Sequence, residues 1–128
     1  MTSKFTELAI DCADPGALAR FWCSVLDYEV HDEDDGLVTI GSRPAAGGTN
    51  QPGPVPPTLT FAHVPEGKTA KNRLHLDVSP ADRDQENEVR RLLDLGARRA
   101  DIGQGDVSWV VLADPEGNEF CVLADRRP

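Results

Sequence analysis

The sequence is poor in cysteine, in basic residues and in long apolar stretches, and each shortage excludes a class of protein. The three cysteines, Cys12, Cys23 and Cys121, are far apart, unlike a disulfide framework or a CxxC zinc site. Lysine and arginine number 13 against 22 acidic residues, and the net charge of −9 argues against nucleic acid or an anionic membrane as a partner. No stretch of about 18 apolar residues occurs, so the sequence predicts no membrane span.

Several motifs of enzymes and exported proteins are missing as well. No GxSxG stretch predicts a nucleophilic hydrolase, and no glycine-rich loop has the lysine and helix of a phosphate-binding site. The N-terminus leads into a strand-like segment without the apolar region of a signal peptide, which predicts a cytoplasmic protein. The length of 128 residues is typical of one domain.

What the chain does contain is an order of strands and a helix that occurs twice. Residues 5–12 alternate between apolar and polar side chains, as a strand with one packed face does. Asp14 and Pro15 then predict the N-cap and the first residue of a helix, and apolar residues three and four apart follow. Three further strands are predicted over residues 28–31, 37–40 and 58–64. The glycine- and proline-rich residues 41–57 before the last strand are either a disordered loop or a lid.

The second half of the chain repeats this order. Residues 72–78 predict a strand with Leu74, Leu76 and Val78 against a second helix, and with His75 and Asp77 on the opposite face. For that helix the sequence predicts Asp82 as N-cap, Gln85 as its capping-box partner and Gly96 as the stop. Strands over residues 98–100, 107–113 and 118–123 complete the repeat. We therefore predict an α+β fold of two βαβββ modules, at about residues 1–67 and 68–128.

One spacing aligns the two modules. Glu7 precedes Asp14 by seven residues, and His75 precedes the predicted N-cap Asp82 by seven as well. Both lie on strand faces opposite the predicted helices. Glu7 and His75 are therefore predicted to occupy equivalent positions in two copies of one module.

The pattern resembles the vicinal oxygen chelate superfamily, which includes glyoxalase I, bleomycin-resistance proteins and extradiol dioxygenases. The resemblance covers nearly the whole chain, and its most specific parts are the strand at residues 72–77 and the turn Asp114-Pro115-Glu116-Gly117-Asn118. Residues 8–14 with Phe21, Trp22 and Leu26 match too, as does Trp109. The resemblance implies curved mixed sheets that form an open cavity, a small organic ligand and a homodimer.

The resemblance also implies positions for a metal. In the superfamily's metalloenzymes, His, Gln or Glu side chains from the first and last strands of each module hold the ion, and Glu7 and His75 fall on two such positions. Carboxylate and imidazole suit Zn, Ni, Fe or Mn. The last strand of the first module offers only Thr60 at the corresponding face.

The last strand of the chain departs from the superfamily's pattern. The expected glutamate lies four residues after Gly117, where this chain has Cys121, and Glu119 lies two residues earlier on the same face. A metal site would therefore use Glu7, His75 and either Cys121 or a shifted Glu119. The replaced glutamate weighs against such a site.

Without a metal, Glu7 and His75 would be catalytic or hydrogen-bonding groups of a cavity. The other predicted ligand-binding residues are Asp11, Asp77, Trp109, Glu119 and Cys121. Asp77 has a structural alternative as part of a polar network, and Trp109 as a core residue. Two functions remain: a glyoxalase-like protein that binds an antibiotic or a metabolite without an intact metal site, and a metal-dependent lyase, isomerase or dioxygenase that uses Glu7 and His75.

Overall fold

The computed structural model describes residues 1–44 and 56–128, which divide into two compact units, Met1–Gly67 and Lys68–Pro128. The first unit contains β1 (Glu7–Cys12), α1 (Pro15–Leu26), β2 (Tyr28–Asp34), β3 (Leu37–Ser42) and β4 (Thr58–His63). The second contains β5 (Leu76–Val78), α2 (Gln85–Leu95), β6 (Arg98–Arg99), β7 (Val110–Ala113) and β8 (Glu119–Val122). The predicted α+β fold of two βαβββ modules is confirmed. The loop-or-lid prediction for residues 41–57 falls largely on residues 45–55, outside the described part.

The two sheets have the same topology. Their strand orders are β1-β4-β3-β2 and β5-β8-β7-β6. In each sheet the first and last strands of the unit pair in parallel, and the other neighbouring strands pair antiparallel. Neither described helix has the length and hydropathy of a membrane span.

The start of α1 follows directly from the local sequence. The Asp14 carboxylate accepts a hydrogen bond of 3.1 Å from the Ala17 N–H, and Pro15 occupies the first turn, as predicted. The helix ends at Asp27, whose left-handed φ of 55° lets its N–H reach the Cys23 carbonyl. The apolar stripe of α1 is buried, and the helix packs on β2, β3 and β4.

Strand register separates the first sheet into an apolar and a polar face. Ile10 pairs with Phe61 of β4, and Phe61 pairs with Val38 of β3, which places three apolar residues in one row. The alternate residues of β1, which include Glu7 and Asp11, are exposed on the other face. A polar sheet face therefore remains opposite α1.

The second sheet is divided in the same way. Leu76, Phe120 and Leu112 form one row across β5, β8 and β7, and the last two are fully buried. Asp77 pairs with Cys121, which pairs with Val111, so these three share the opposite face.

The start of α2 differs from the prediction. The N-cap is Asp84, whose carboxylate accepts from the Asn87 N–H at 2.9 Å, and not Asp82. The predicted capping box is also wrong, because the Gln85 amide donates to the carbonyls of Ser108 at 2.9 Å and Val122 at 3.0 Å. Contacts with the sheet therefore set where α2 begins.

Two predicted strands are shorter than the sequence suggests. β5 begins only at Leu76, and Leu74 before it is 78% exposed, so the prediction that Leu74 packs against the second helix is wrong. β7 begins at Val110, and Trp109, in the bend before it, is 41% exposed rather than in the core. Both side chains precede the paired part of their strands, where alternation no longer decides burial.

Candidate functional site

In the first unit, Glu7 belongs to a chain of hydrogen bonds across three strands. The hydroxyl of Thr60 on β4 donates to Glu7 Oε1, and it lies 2.8 Å from the hydroxyl of Thr39 on β3. Because the Thr60 hydrogen is directed at Glu7, Thr60 accepts from Thr39. Thr60 is buried and Glu7 is exposed, so a buried hydroxyl orients an accessible carboxylate.

Asp11 lies on the same face of β1 as Glu7 and is exposed. Within the described residues, neither carboxylate forms an ion pair. On β1, β3 and β4 this face contains no basic side chain. It is therefore suited to cationic or donor-rich groups rather than to anions.

In the second unit, three predicted site residues come together. His75 Nδ1 lies 3.0 Å from Asp77 Oδ1 and 3.9 Å from the Cys121 sulfur. One donor atom from each of the three lies within 4.8 Å of the others. Register explains the contact, because Asp77 and Cys121 are paired residues on neighbouring parallel strands. We call this group the His75 cluster.

The environment of Cys121 keeps its sulfur protonated. Burial raises the pKa of the thiol, and the nearby Asp77 carboxylate raises it further, while Lys71 acts in the opposite direction. Cys121 is also buried, whereas the side chains of His75 and Asp77 are 41% and 47% exposed. The sulfur is therefore a poor nucleophile at neutral pH, and it would bind a metal only with loss of its proton.

Glu119 lies at the start of β8, and its carboxylate is occupied. Oε1 accepts from Lys68 Nζ at 2.9 Å, and Oε2 accepts from the Asn72 N–H at 3.3 Å. Burial alone would raise the pKa of Glu119, but the hydrogen bonds from Lys68, its own N–H and Asn72 outweigh it, and the pKa is lowered. Glu119 is therefore held as an anion between internal donors.

Glu7 and His75 each contact the last strand of their own unit, and their equivalence stays a prediction. Glu7 pairs with Thr58 and contacts Thr60, two residues further along β4. His75 lies one residue before β5 and approaches Cys121 of β8. The count of seven residues does not hold in the second unit, since Asp84 follows His75 by nine. That Glu7 and His75 face one cavity stays a prediction.

Two parts of this geometry were not predicted from the sequence. Thr39 gave no signal beyond its place in a strand, although its hydroxyl continues the chain to Thr60. Lys68 also gave none, because its partner Glu119 is 51 residues away. Strand pairing decides which residues become such partners, and the local sequence pattern does not.

Comparison with known proteins bears on this architecture. The model of a family described as the glyoxalase-like domain matches residues 7–123. The chain belongs to this family. The resemblance to the vicinal oxygen chelate superfamily is thereby confirmed, while no functionally curated protein matches this glyoxalase-like chain.

Solved structures share the fold of this glyoxalase-like chain at low identity. The fosfomycin resistance protein FosX from Mesorhizobium loti is 13% identical, with 98% of this chain and 94% of that chain covered and a TM-score of 0.65. A mutant FosX from Listeria monocytogenes, in complex with Mn(II) and dihydroxypropylphosphonic acid, is 12% identical, with 97% and 91% covered and a TM-score of 0.66. A glyoxalase/bleomycin resistance protein/dioxygenase family enzyme from Burkholderia phytofirmans is 15% identical, with 94% and 97% covered and a TM-score of 0.62.

Proposed function

We propose that this glyoxalase-like protein binds a small, partly apolar organic molecule, an antibiotic or a metabolite, at the His75 cluster. The observation that carries the proposal is the meeting of His75, which lies just before β5, with Asp77 and Cys121 on one face of the second sheet. Two of the three side chains are accessible to a ligand. Accessible polar groups that converge beside apolar surface are typical of ligand sites.

The His75–Asp77 contact gives the cluster a defined chemistry. An ionised carboxylate only accepts hydrogen bonds, so Asp77 fixes the proton of His75 on Nδ1. The other ring nitrogen, Nε2, then accepts a hydrogen bond from a ligand hydroxyl or amine while the imidazole is neutral. We propose that the exposed indole of Trp109 supplies apolar contact area.

Charge narrows the class of ligand. The net charge is −9, and Glu7 and Asp11 add uncompensated carboxylates to the polar face of the first sheet. A long-range negative potential attracts cations and repels anions. We therefore propose a cationic or neutral ligand.

A thermal-shift screen with cationic, neutral and anionic natural products tests the proposal, followed by calorimetry on each hit. His75→Ala and Asp77→Asn should weaken binding by about tenfold, since each removes a polar group of the proposed site. His63→Ala is the matched control, because His63 is exposed and outside the cluster. Binding that survives in His75→Ala contradicts the proposed site, and turnover of a hit excludes a purely binding role.

The second candidate is a metal-dependent lyase, isomerase or dioxygenase. It is favoured by the nitrogen, oxygen and sulfur donors that lie within 4.8 Å of one another in the His75 cluster. This donor set fits zinc better than manganese, because sulfur is the softer ligand. A bound divalent ion would supply Lewis-acid polarisation of substrate oxygens. His75 and Asp77 would hold it, Cys121 would have to lose its proton, and Glu7 is the ligand predicted from the first unit.

Elemental analysis of protein purified without chelator separates the two candidates. Stoichiometric metal that is lost in His75→Ala and reduced in Cys121→Ser would support the metalloenzyme. Glu7→Gln tests the ligand predicted from the first unit in the same measurement. No bound metal after exposure to zinc, nickel, manganese and ferrous iron contradicts this candidate and leaves the binding protein.

We also propose that the protein is a homodimer, as its superfamily resemblance implies. Phe5 and Leu74 support this, because they are 68% and 78% exposed in the single chain and would gain from burial. Sedimentation velocity over a range of concentrations should show a dimer. Leu74→Glu should shift the equilibrium towards monomer if Leu74 lies in the interface, and a monomer at all concentrations contradicts the proposal.

A further inference from the structure

Residues 68–75 lead into β5 and place His75, yet apolar packing does not hold them. They form no helix or strand, and none of their side chains is buried. The one large apolar side chain among them, Leu74, is 78% exposed. Because burial of apolar surface normally positions a segment, this segment needs another means of attachment.

Hydrogen bonds to the start of β8 provide that attachment. Glu119 accepts from Lys68 Nζ at 2.9 Å and from the Asn72 N–H at 3.3 Å. The side-chain amide of Asn72 donates to Asn118 Oδ1 at 3.1 Å. The side chains of Lys68 and Glu119 are 25% and 11% exposed, so this ion pair is partly shielded from water. Three contacts thus fasten residues 68–72 to Glu119, the first residue of β8, and to Asn118 just before it.

The far side of the attachment is rigid. Asp114 is 1% exposed, and its carboxylate accepts from the N–H groups of Glu116 and Asn118, at 2.9 Å each. The Asn118 side-chain amide donates to the same carboxylate at 3.2 Å. The buried Asp114 carboxylate therefore holds Asn118, the residue next to Glu119, independently of the segment.

We infer that Glu119 is a positioning residue, which fastens residues 68–72 to β8 and so sets the place of His75. Both of its carboxylate oxygens face donors of its own unit, which leaves Lys68 neutralised rather than open to an anionic ligand. The segment between Asn72 and His75 is short, so the position of one limits the position of the other. The inference rests on the proposed function only where it assigns the ligand to His75.

Hydrogen–deuterium exchange on the full chain tests the attachment without a ligand. Glu119→Gln and Lys68→Met should each speed exchange of the Asn72 amide, which donates to Glu119, by about tenfold, since each removes a charge-assisted contact. Lys71→Met is the matched control, because it removes the same charge from the same segment, while among the described residues the Lys71 ammonium bonds the Asn72 carbonyl and not Glu119. It should leave the exchange unchanged.

The ring resonances of the three histidines test the link to His75. In Glu119→Gln the His75 signals should shift, while those of His31 and His63 stay in place. With a hit from the ligand screen, affinity should fall in Glu119→Gln and Lys68→Met. A merely stabilising role would lower the melting temperature without moving the His75 signals.

Unchanged exchange in Glu119→Gln, or faster exchange with unmoved His75 signals, overturns the inference. If Glu119→Gln does not fold, Lys68→Met tests the same ion pair by removal of its other partner. If the wild-type protein binds none of the ligands, the proposed function fails, while the exchange and resonance results still decide the role of Glu119.

Discussion

Gly41 is restricted by the ring of another residue in the same sheet. His31 lies over it, and a Cβ at Gly41 would stand 2.7 Å from His31 Nδ1. The other ring nitrogen donates to the Ser42 carbonyl at 3.1 Å. His31 is exposed, so a larger residue at position 41 would displace the ring rather than the strand.

Gly41→Ala should therefore lower the free energy of unfolding by about 1 kcal/mol, through loss of the His31 contact. In a His31→Ala background the same change should be neutral or stabilising, because alanine restricts the unfolded chain more than glycine does. Urea denaturation of wild type, the two single variants and the double variant gives the coupling free energy between Gly41→Ala and His31→Ala. An equal loss of unfolding free energy in both backgrounds would show that the loss does not come from the His31 contact.

The lowered pKa of Glu119 predicts that the stability of the protein depends on pH. Burial opposes its ionisation, but hydrogen bonds from Lys68 and from N–H groups lower its folded-state pKa below the ordinary value of 4.5. The stabilisation is therefore complete above the unfolded pKa and is lost as the pH falls through the lowered folded pKa. The difference in unfolding free energy between wild type and Glu119→Gln should shrink below pH 4.5, as measured by denaturation across that range. If the difference in unfolding free energy stays constant on acidification, the pKa of Glu119 is not lowered in the folded protein.

At the scale of elements, α2 shows how a helix start is chosen among several acidic residues. Asp82 and Asp84 are both acceptable N-caps, and both lie just before the apolar stripe of the helix. The Gln85 side chain bonds two carbonyls outside the helix, and this fixes the first turn beside β8. Asp84 is then the residue whose carboxylate reaches the free N–H groups.

Replacement of the two aspartates separates these alternatives. Asp84→Ala should lower the free energy of unfolding by about 1 kcal/mol, since it removes the cap. Asp82→Ala should leave stability nearly unchanged, because Asp82 is exposed and its carboxylate accepts from the neighbouring Arg83 side chain. Chemical denaturation measures both, and a larger loss in Asp82→Ala would show that the helix starts earlier.

At the scale of the whole molecule, the main long-range electrostatic interaction is repulsion between the acidic side chains. Of the 22 acidic residues, six lie from Asp27 to Asp35, at the C-cap of α1, on β2 and in the turn after it. Like charges at this density repel one another, and salt screens the repulsion. The folded protein should therefore be more stable at high ionic strength than at low.

The melting temperature should rise with added sodium chloride, and the double substitution Glu33→Lys with Asp35→Lys should flatten that dependence. Glu66→Lys with Asp125→Lys is the matched control, since it makes the same change of net charge at exposed positions away from β2. A stronger effect at β2 identifies local repulsion. Equal effects of the two pairs attribute it to net charge alone, and a melting temperature that falls with salt contradicts the expectation.

The sequence by itself determined the order of elements and the structures that depend on near neighbours. Asp14 and Pro15 start α1, and Gly96 ends α2 at a positive φ of 120°, because caps and turns use residues within a few positions of each other. Alternation in β1 placed Glu7 and Asp11 on the polar face for the same reason. The twofold repeat followed from these local signals.

Only the tertiary structure decided which distant residues meet. His75 lies near Cys121, which is 46 positions away in sequence. Glu119 is bound by Lys68 and is therefore not open to a ligand. Leu74 has the alternation of a packed strand residue but lies outside the paired ladder and stays exposed. Side-chain pattern shows which face a residue prefers, whereas strand pairing decides where a ladder begins and which partner is within reach.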